Sequence, residues 1–218
     1  MKRFKKILAV VDSEQSADVA LERAVSLAQN NQATLTVVSV VPRVTAGIGM
    51  PDGGPISAEI QGAAIADSRQ QLENAVAPFR SRITIDAKVL LGTAFLEIIR
   101  EVLVEKRDLV IKPIGRRHGV RSLFGSTDMK LLRQCPCPTW LVKSAEAKGA
   151  RQILAAVDYD SEDHAKESLN GRILEIATSL ALSEPAELHV VHAWRLAYEK
   201  TLRSGRTRYT RAEVDMIL

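Results

Sequence analysis

Ile7-Leu-Ala-Val-Val-Asp12, close to the amino terminus, returns later in the chain as Ile153-Leu-Ala-Ala-Val-Asp158 with a single change. A run this apolar, closed by an aspartate, reads as a short strand buried on both faces that stops at a polar loop. Each copy leads into an amphipathic stretch and then a second apolar run. These runs are Leu35-Thr-Val-Val-Ser-Val-Val41 and Leu188-His-Val-Val-His-Ala-Trp194. Internal duplication of this kind implies two supersecondary series, each with its own core. Three further strand-like segments follow in the first copy, whereas the second stops soon after its second strand. The expected organisation is a complete domain over residues 1–143, a linker over 144–150 and an incomplete second domain over 151–218.

Within the first copy, Lys5–Val11 is the opening strand. Ala17–Gln29 carries apolar residues at helical spacing, with Ser16 as a candidate N-cap. Thr34–Val41 is rich in β-branched residues and reads as the second strand. The segment Pro42–Pro55 holds four glycines and is a loop. A helix is expected over Ser57–Phe79 and a third strand over Ile83–Leu91, where apolar and polar residues alternate at first. A helix over Ala94–Glu105, a strand over Asp108–Ile111, a short helix over Ser126–Arg133 and a strand over Thr139–Val142 complete the series. Strict alternation with short links predicts the doubly wound α/β class: a five-stranded parallel sheet with helices on both faces.

In such sheets the ligand crevice lies beyond the carboxyl ends of the strands, where strand order reverses. The first and fourth strands should flank that point, which singles out the loops Asp12–Ser16 and Lys112–Thr127. In the second of these, Gly115 and then Gly125-Ser126-Thr127 lead into a short helix, whose free N–H groups form a natural anion site. Ser126 is placed to cap that helix or to touch a ligand, and Arg116, Arg117, His118 and Arg121 supply donors suited to phosphate. The alternative is a capped helix with a solvated basic edge. Asp12 has two readings as well: an acceptor for a base or ribose, or a loop aspartate bonded to its own backbone.

Taken together these segments resemble the universal stress protein family. The resemblance rests on Ile7–Ser16, on Asp108-Leu-Val-Ile111, on the Gly-x9-Gly-Ser turn and on Leu131-Leu-Arg-Gln-Cys-Pro-Cys-Pro-Thr-Trp-Leu-Val142. It covers roughly Lys5–Lys143, and the tandem copy is most similar to the two-domain E subtype. Members that bind ATP carry a G-x2-G-x9-G-(S/T) pattern and an aspartate after the first strand. The resemblance thus implicates Asp12, Gly115, Gly125, Ser126 and Thr127 in holding ATP or AMP, with nucleotide-associated Mg as the only metal, and places Val40 against the adenine. Two positions depart from the pattern. Lys112 stands where the first glycine belongs, which hinders close backbone approach but offers an ammonium to a phosphate. Asp128 stands where the family usually has a hydroxyl; a carboxylate there satisfies the helix dipole and repels a triphosphate.

Other constellations carry less. Cys135-Pro-Cys137-Pro lacks further cysteines for a zinc site, and each cysteine precedes a proline, so a structural role in an extended path is expected. His189 and His192 on a strand point to opposite faces. The basic segment Arg195–Arg211 reads as a solvated loop, and Thr210-x-x-Glu213 as a capping box. A net charge of +4 in 218 residues does not point to nucleic acid, and no run reaches the roughly 20 apolar residues that span a bilayer. No nucleophile–base pair or P-loop lysine is present, so no enzymatic activity beyond at most a weak ATPase is expected. The family resemblance implies a cytoplasmic stress-response protein, acting in resistance to DNA damage or growth arrest, that binds an adenine nucleotide or serves as an interaction scaffold for an unknown partner. Thr139–Val142 is expected to pair across a homodimer.

Overall fold

The computed structural model describes residues 3–11, 17–44, 54–114, 125–143, 152–158, 164–183, 186–193, 210 and 213–214. The chain forms two compact units, Met1–Lys148 and Gly149–Leu218.

In the first unit the elements run β1 (Lys6–Val10), α1 (Ala17–Asn31), β2 (Thr34–Val41), α2 (Pro55–Val76), β3 (Ile85–Leu91), α3 (Ala94–Glu105), β4 (Leu109–Pro113), α4 (Ser126–Gln134) and β5 (Thr139–Val142). The strands form one parallel sheet in the order β3-β2-β1-β4-β5. Strand order therefore reverses between β1 and β4, as the alternation of elements predicted. Ile7 sits opposite Leu35 on one side and Leu109 on the other.

Side chains alternate across the sheet, so β1 feeds two cores. Leu8 and Val10 pack with Val38, Val110, Ile98, Val102 and Leu131 under α3 and α4. Ile7 and Ala9 point the other way, where α1 contacts β1 and buries Ala20, Leu21, Ala24, Val25 and Ala28. The entry to β1 is fixed by polar clamps. Asn31, 3% exposed, accepts from the backbone N–H groups of Arg3 (3.0 Å) and Phe4 (3.2 Å) while donating to the Leu27 carbonyl. The Asp108 carboxylate accepts from the N–H groups of Lys5 (2.6 Å) and Lys6 (3.1 Å), tying β1 to the start of β4.

Some boundaries differ from the sequence reading. Residues 77–79 form a 3-10 turn, and Ile83 donates its N–H to Phe79 (3.2 Å), so β3 opens at Ile85 rather than Ile83. Helix α2 starts at Pro55, not Ser57, because proline is pre-organised for the first helical turn. Between β3 and α3, Gly92 adopts φ 150°, and its N–H bonds the Val41 carbonyl at 2.9 Å. A Cβ there would lie 2.6 Å from Glu97 Oε1, so both the backbone and the packing call for glycine.

In the second unit β6 (Gln152–Val157) and β7 (Glu187–His192) pair in parallel, joined by α5 (His164–Ser183). Asp158 is held by Lys166 (3.0 Å) and by a reciprocal pair of backbone bonds with the Asn170 amide. Thr210 and Glu213 make the expected capping box. Among the described residues no helix is long and apolar enough to cross a membrane.

Candidate functional site

A cavity of about 320 Å³ opens at the carboxyl ends of β1, β2 and β4 in the first unit. Val10 and Val11 come from β1 and the residue after it, Val40 and Val41 from β2, and Lys112 from β4. The first turn of α4 adds Thr127, and the start of α3 adds Ala94 and Ile98. Its size is that of a small-molecule site, and its place is the reversal of strand order. One wall is α2, which contributes Asp67, Ser68 and Gln71; the Ser68 hydroxyl donates to Ser39 of β2 at 2.9 Å. The lining thus mixes apolar side chains at the strand ends with polar groups from β2, α2, β4 and α4.

The end of the cavity near α4 is built around an ion pair. Lys112 Nζ lies 3.0 Å from Asp128 Oδ1, with side chains 7% and 2% exposed. The ammonium also donates to the Pro113 carbonyl at 2.9 Å. The other carboxylate oxygen, Oδ2, accepts the Gly125 N–H at 3.1 Å. Asp128 Oδ1 accepts no directed hydrogen bond among the described residues, so its contact with Lys112 is one of charge. Asp128 therefore caps α4 and neutralises Lys112 at once. Charges buried this deeply escape solvent screening, and each needs the other to offset its desolvation.

The seven residues singled out by sequence are distributed as follows. Val40, Lys112 and Thr127 line the cavity together. Gly125 is the N-cap of α4 and Ser126 its exposed first residue; neither lines the cavity. Ser126 is the first residue of the helix and not its N-cap, and the side chain that bonds the cap residue is Asp128, which accepts the Gly125 N–H. Asp12 and Gly115 lie outside the described residues, as do Arg116, Arg117, His118 and Arg121. Lys112 is turned to Asp128 and the Pro113 carbonyl, in place of the open phosphate contact its position suggested. Sequence reasoning did not single out Asp67, Ser68 or Gln71. The helical period locates the buried face of α2 but gives no sign of which loops that face meets.

The universal stress protein family model matches residues 3–143. The chain is 28% identical over 205 residues to universal stress protein E of Photorhabdus laumondii, covering 90% of this chain and 64% of that protein. To universal stress protein E of Escherichia coli K12 it is 29% identical over 201 residues, covering 89% and 63%. It thus spans a little under two thirds of the length of these relatives. The solved structure of universal stress protein UspA from Lactobacillus plantarum matches with a TM-score of 0.54 at 25% identity, covering 64% of this chain and 98% of that one. Parallel strand order, duplicated opening strand and sequence likeness agree: the chain belongs to the universal stress protein family.

Proposed function

We propose that the first unit is a regulatory binding module of a cytoplasmic stress-response protein, and that its cavity takes an adenine nucleoside or nucleotide without turning it over. The observation that carries this reading is the convergence of Val10, Val11, Val40, Lys112 and Thr127 on one cavity at the reversal of strand order. Apolar side chains suit the faces of a purine. Ser39, Ser68, Gln71 and Asp67 offer donors and acceptors for its edge and for ribose hydroxyls. Among the described residues no nucleophile paired with a base lines the cavity, and the reading is therefore one of binding.

The buried pair sets the order of ligands. With Lys112 neutralised by Asp128, and Asp67 on the opposite wall, the described lining offers no net positive charge to a triphosphate. Isothermal titration is expected to give binding of adenosine and AMP at least as tight as that of ATP. Absence of heat with all three at millimolar concentration would leave the interaction-scaffold reading in its place.

The same proposal extends to assembly. Among the described residues β5 pairs with β4 alone and so presents an edge in the first unit. Unpaired edges attract a second strand, and a homodimer through Thr139–Val142 is the simplest way to cover one. Light scattering at high micromolar concentration is expected to give a dimer mass; a monomer there excludes this arrangement.

A further inference from the structure

The turn that joins α4 to β5 brings two thiols together. Cys135 is the C-cap of α4, extended in backbone and with its N–H bonded to the Leu131 carbonyl at 2.9 Å, and the chain then bends at Pro136 and Cys137 before β5. Across that single proline the Sγ atoms of Cys135 and Cys137 lie 3.7 Å apart, close enough to hydrogen-bond. Both side chains are partly exposed, and both also rest against the apolar core. The backbone bends at Pro136 and Cys137, and it is this bend that brings the two side chains together. The path is anchored on its far side by the Val110 N–H, which donates to the Pro138 carbonyl at 3.0 Å.

We propose that Cys135 and Cys137 are a reversible dithiol–disulfide site that exchanges with low-molecular-weight disulfides. Cys135 is the attacking group. The hydrogen bond from Cys137 outweighs burial and holds its thiol down at about 6. Cys137 is pushed up, first by that same bond and then by burial, so it keeps its proton until the second step.

The steps balance. The Cys135 thiolate attacks one sulfur of the small disulfide; the Cys135–sulfur bond forms, the small disulfide bond breaks, and one small thiolate leaves. Cys137 then gives up its proton and attacks the Cys135 sulfur. The internal disulfide forms, and the second small thiol departs carrying that proton. Two protein thiols are oxidised and one small disulfide is reduced to two thiols. Joining the thiols closes the Sγ atoms from 3.7 Å to a bond of about 2 Å. A ring closed across one residue is short, which is the character of labile rather than structural disulfides.

The test uses the full chain with glutathione disulfide at neutral pH, analysed by peptide mass. The wild type should yield a Cys135–Cys137 peptide lighter by two hydrogens, with no lasting glutathione adduct. C137S should stop at the adduct on Cys135, and C135S should lose the internal disulfide and react about tenfold more slowly. Folded wild type should also react about tenfold faster than the same chain in urea. Three results would overturn the proposal: a lasting adduct on the wild type, equal rates in the folded and unfolded chains, or an adduct on Cys137 in preference to Cys135.

Discussion

Replacing Lys112 by methionine is expected to destabilise the first unit by about 3–5 kcal/mol, the cost of leaving a buried carboxylate without its counter-charge. Methionine fills a similar volume, so the loss reflects charge and not a cavity. Asp128 is 2% exposed; it cannot turn to water without giving up the Gly125 N–H, and with it the start of α4. The second change that relieves the first is Asp128→Asn, which keeps an oxygen for the cap and removes the charge. In the double variant most of the loss should return, leaving a strongly non-additive cycle. The chain's two tryptophans are Trp140 and Trp194, so a Trp194→Phe background lets fluorescence follow the first unit through Trp140. Urea midpoints should fall by on the order of 2 M for Lys112→Met. Simple additivity of the two substitutions would show that the pair contributes little.

The second large effect is expected at Leu131. Helix α4 has nine residues, too few to hold itself, and Leu131 is its fully buried apolar anchor. It packs with Leu8, Val38, Ile98 and Val110. Lys130, whose ammonium lies 4.3 Å from the Phe95 ring centroid, adds a surface contact to α3. Leu131→Ala removes the buried contact and should cost about 2–5 kcal/mol, whereas Leu131→Met should cost less than about 1.5 kcal/mol. The loss also reaches function. The amino end of α4 supplies Thr127 to the cavity, and its carboxyl end positions Cys135 beside Cys137. Hydrogen exchange should show α4 losing protection ahead of α1 in Leu131→Ala. Uniform loss across the sheet would mean that α4 is not a separately anchored element.

Both effects converge on one short helix that links the two chemical features of the first unit. At its start, Gly125 and Asp128 close the helix against Lys112; at its end, two thiols face one another across a proline. A ligand that competes for Lys112 and an oxidant that joins the thiols would act on opposite ends of the same nine residues.

Much of the architecture was legible in the chain itself. The duplicated Ile-Leu-Ala run, the β-branched strands and the helical spacing between them dictate a parallel sheet, because local periodicity states which face of each element must be buried. The reversal between β1 and β4 followed, and it singled out the Lys112–Thr127 segment, whereas Val40 was implied by the family resemblance; Val40, Lys112 and Thr127 line one cavity. Periodicity carries no information about which side chains meet once those faces are buried. In the sequence Lys112 reads as a candidate phosphate contact and Asp128 as a charge that repels one; only the placement of α4 beside the end of β4 makes them one neutral pair. Likewise the α2 wall of Asp67, Ser68 and Gln71, and the approach of Cys135 to Cys137, depend on helix placement and turn geometry. The chain determined the sheet because burial is a property of each segment. Tertiary structure decided the site because charge pairing is a property of distance between segments, and the thiol contact a property of the turn that ends α4.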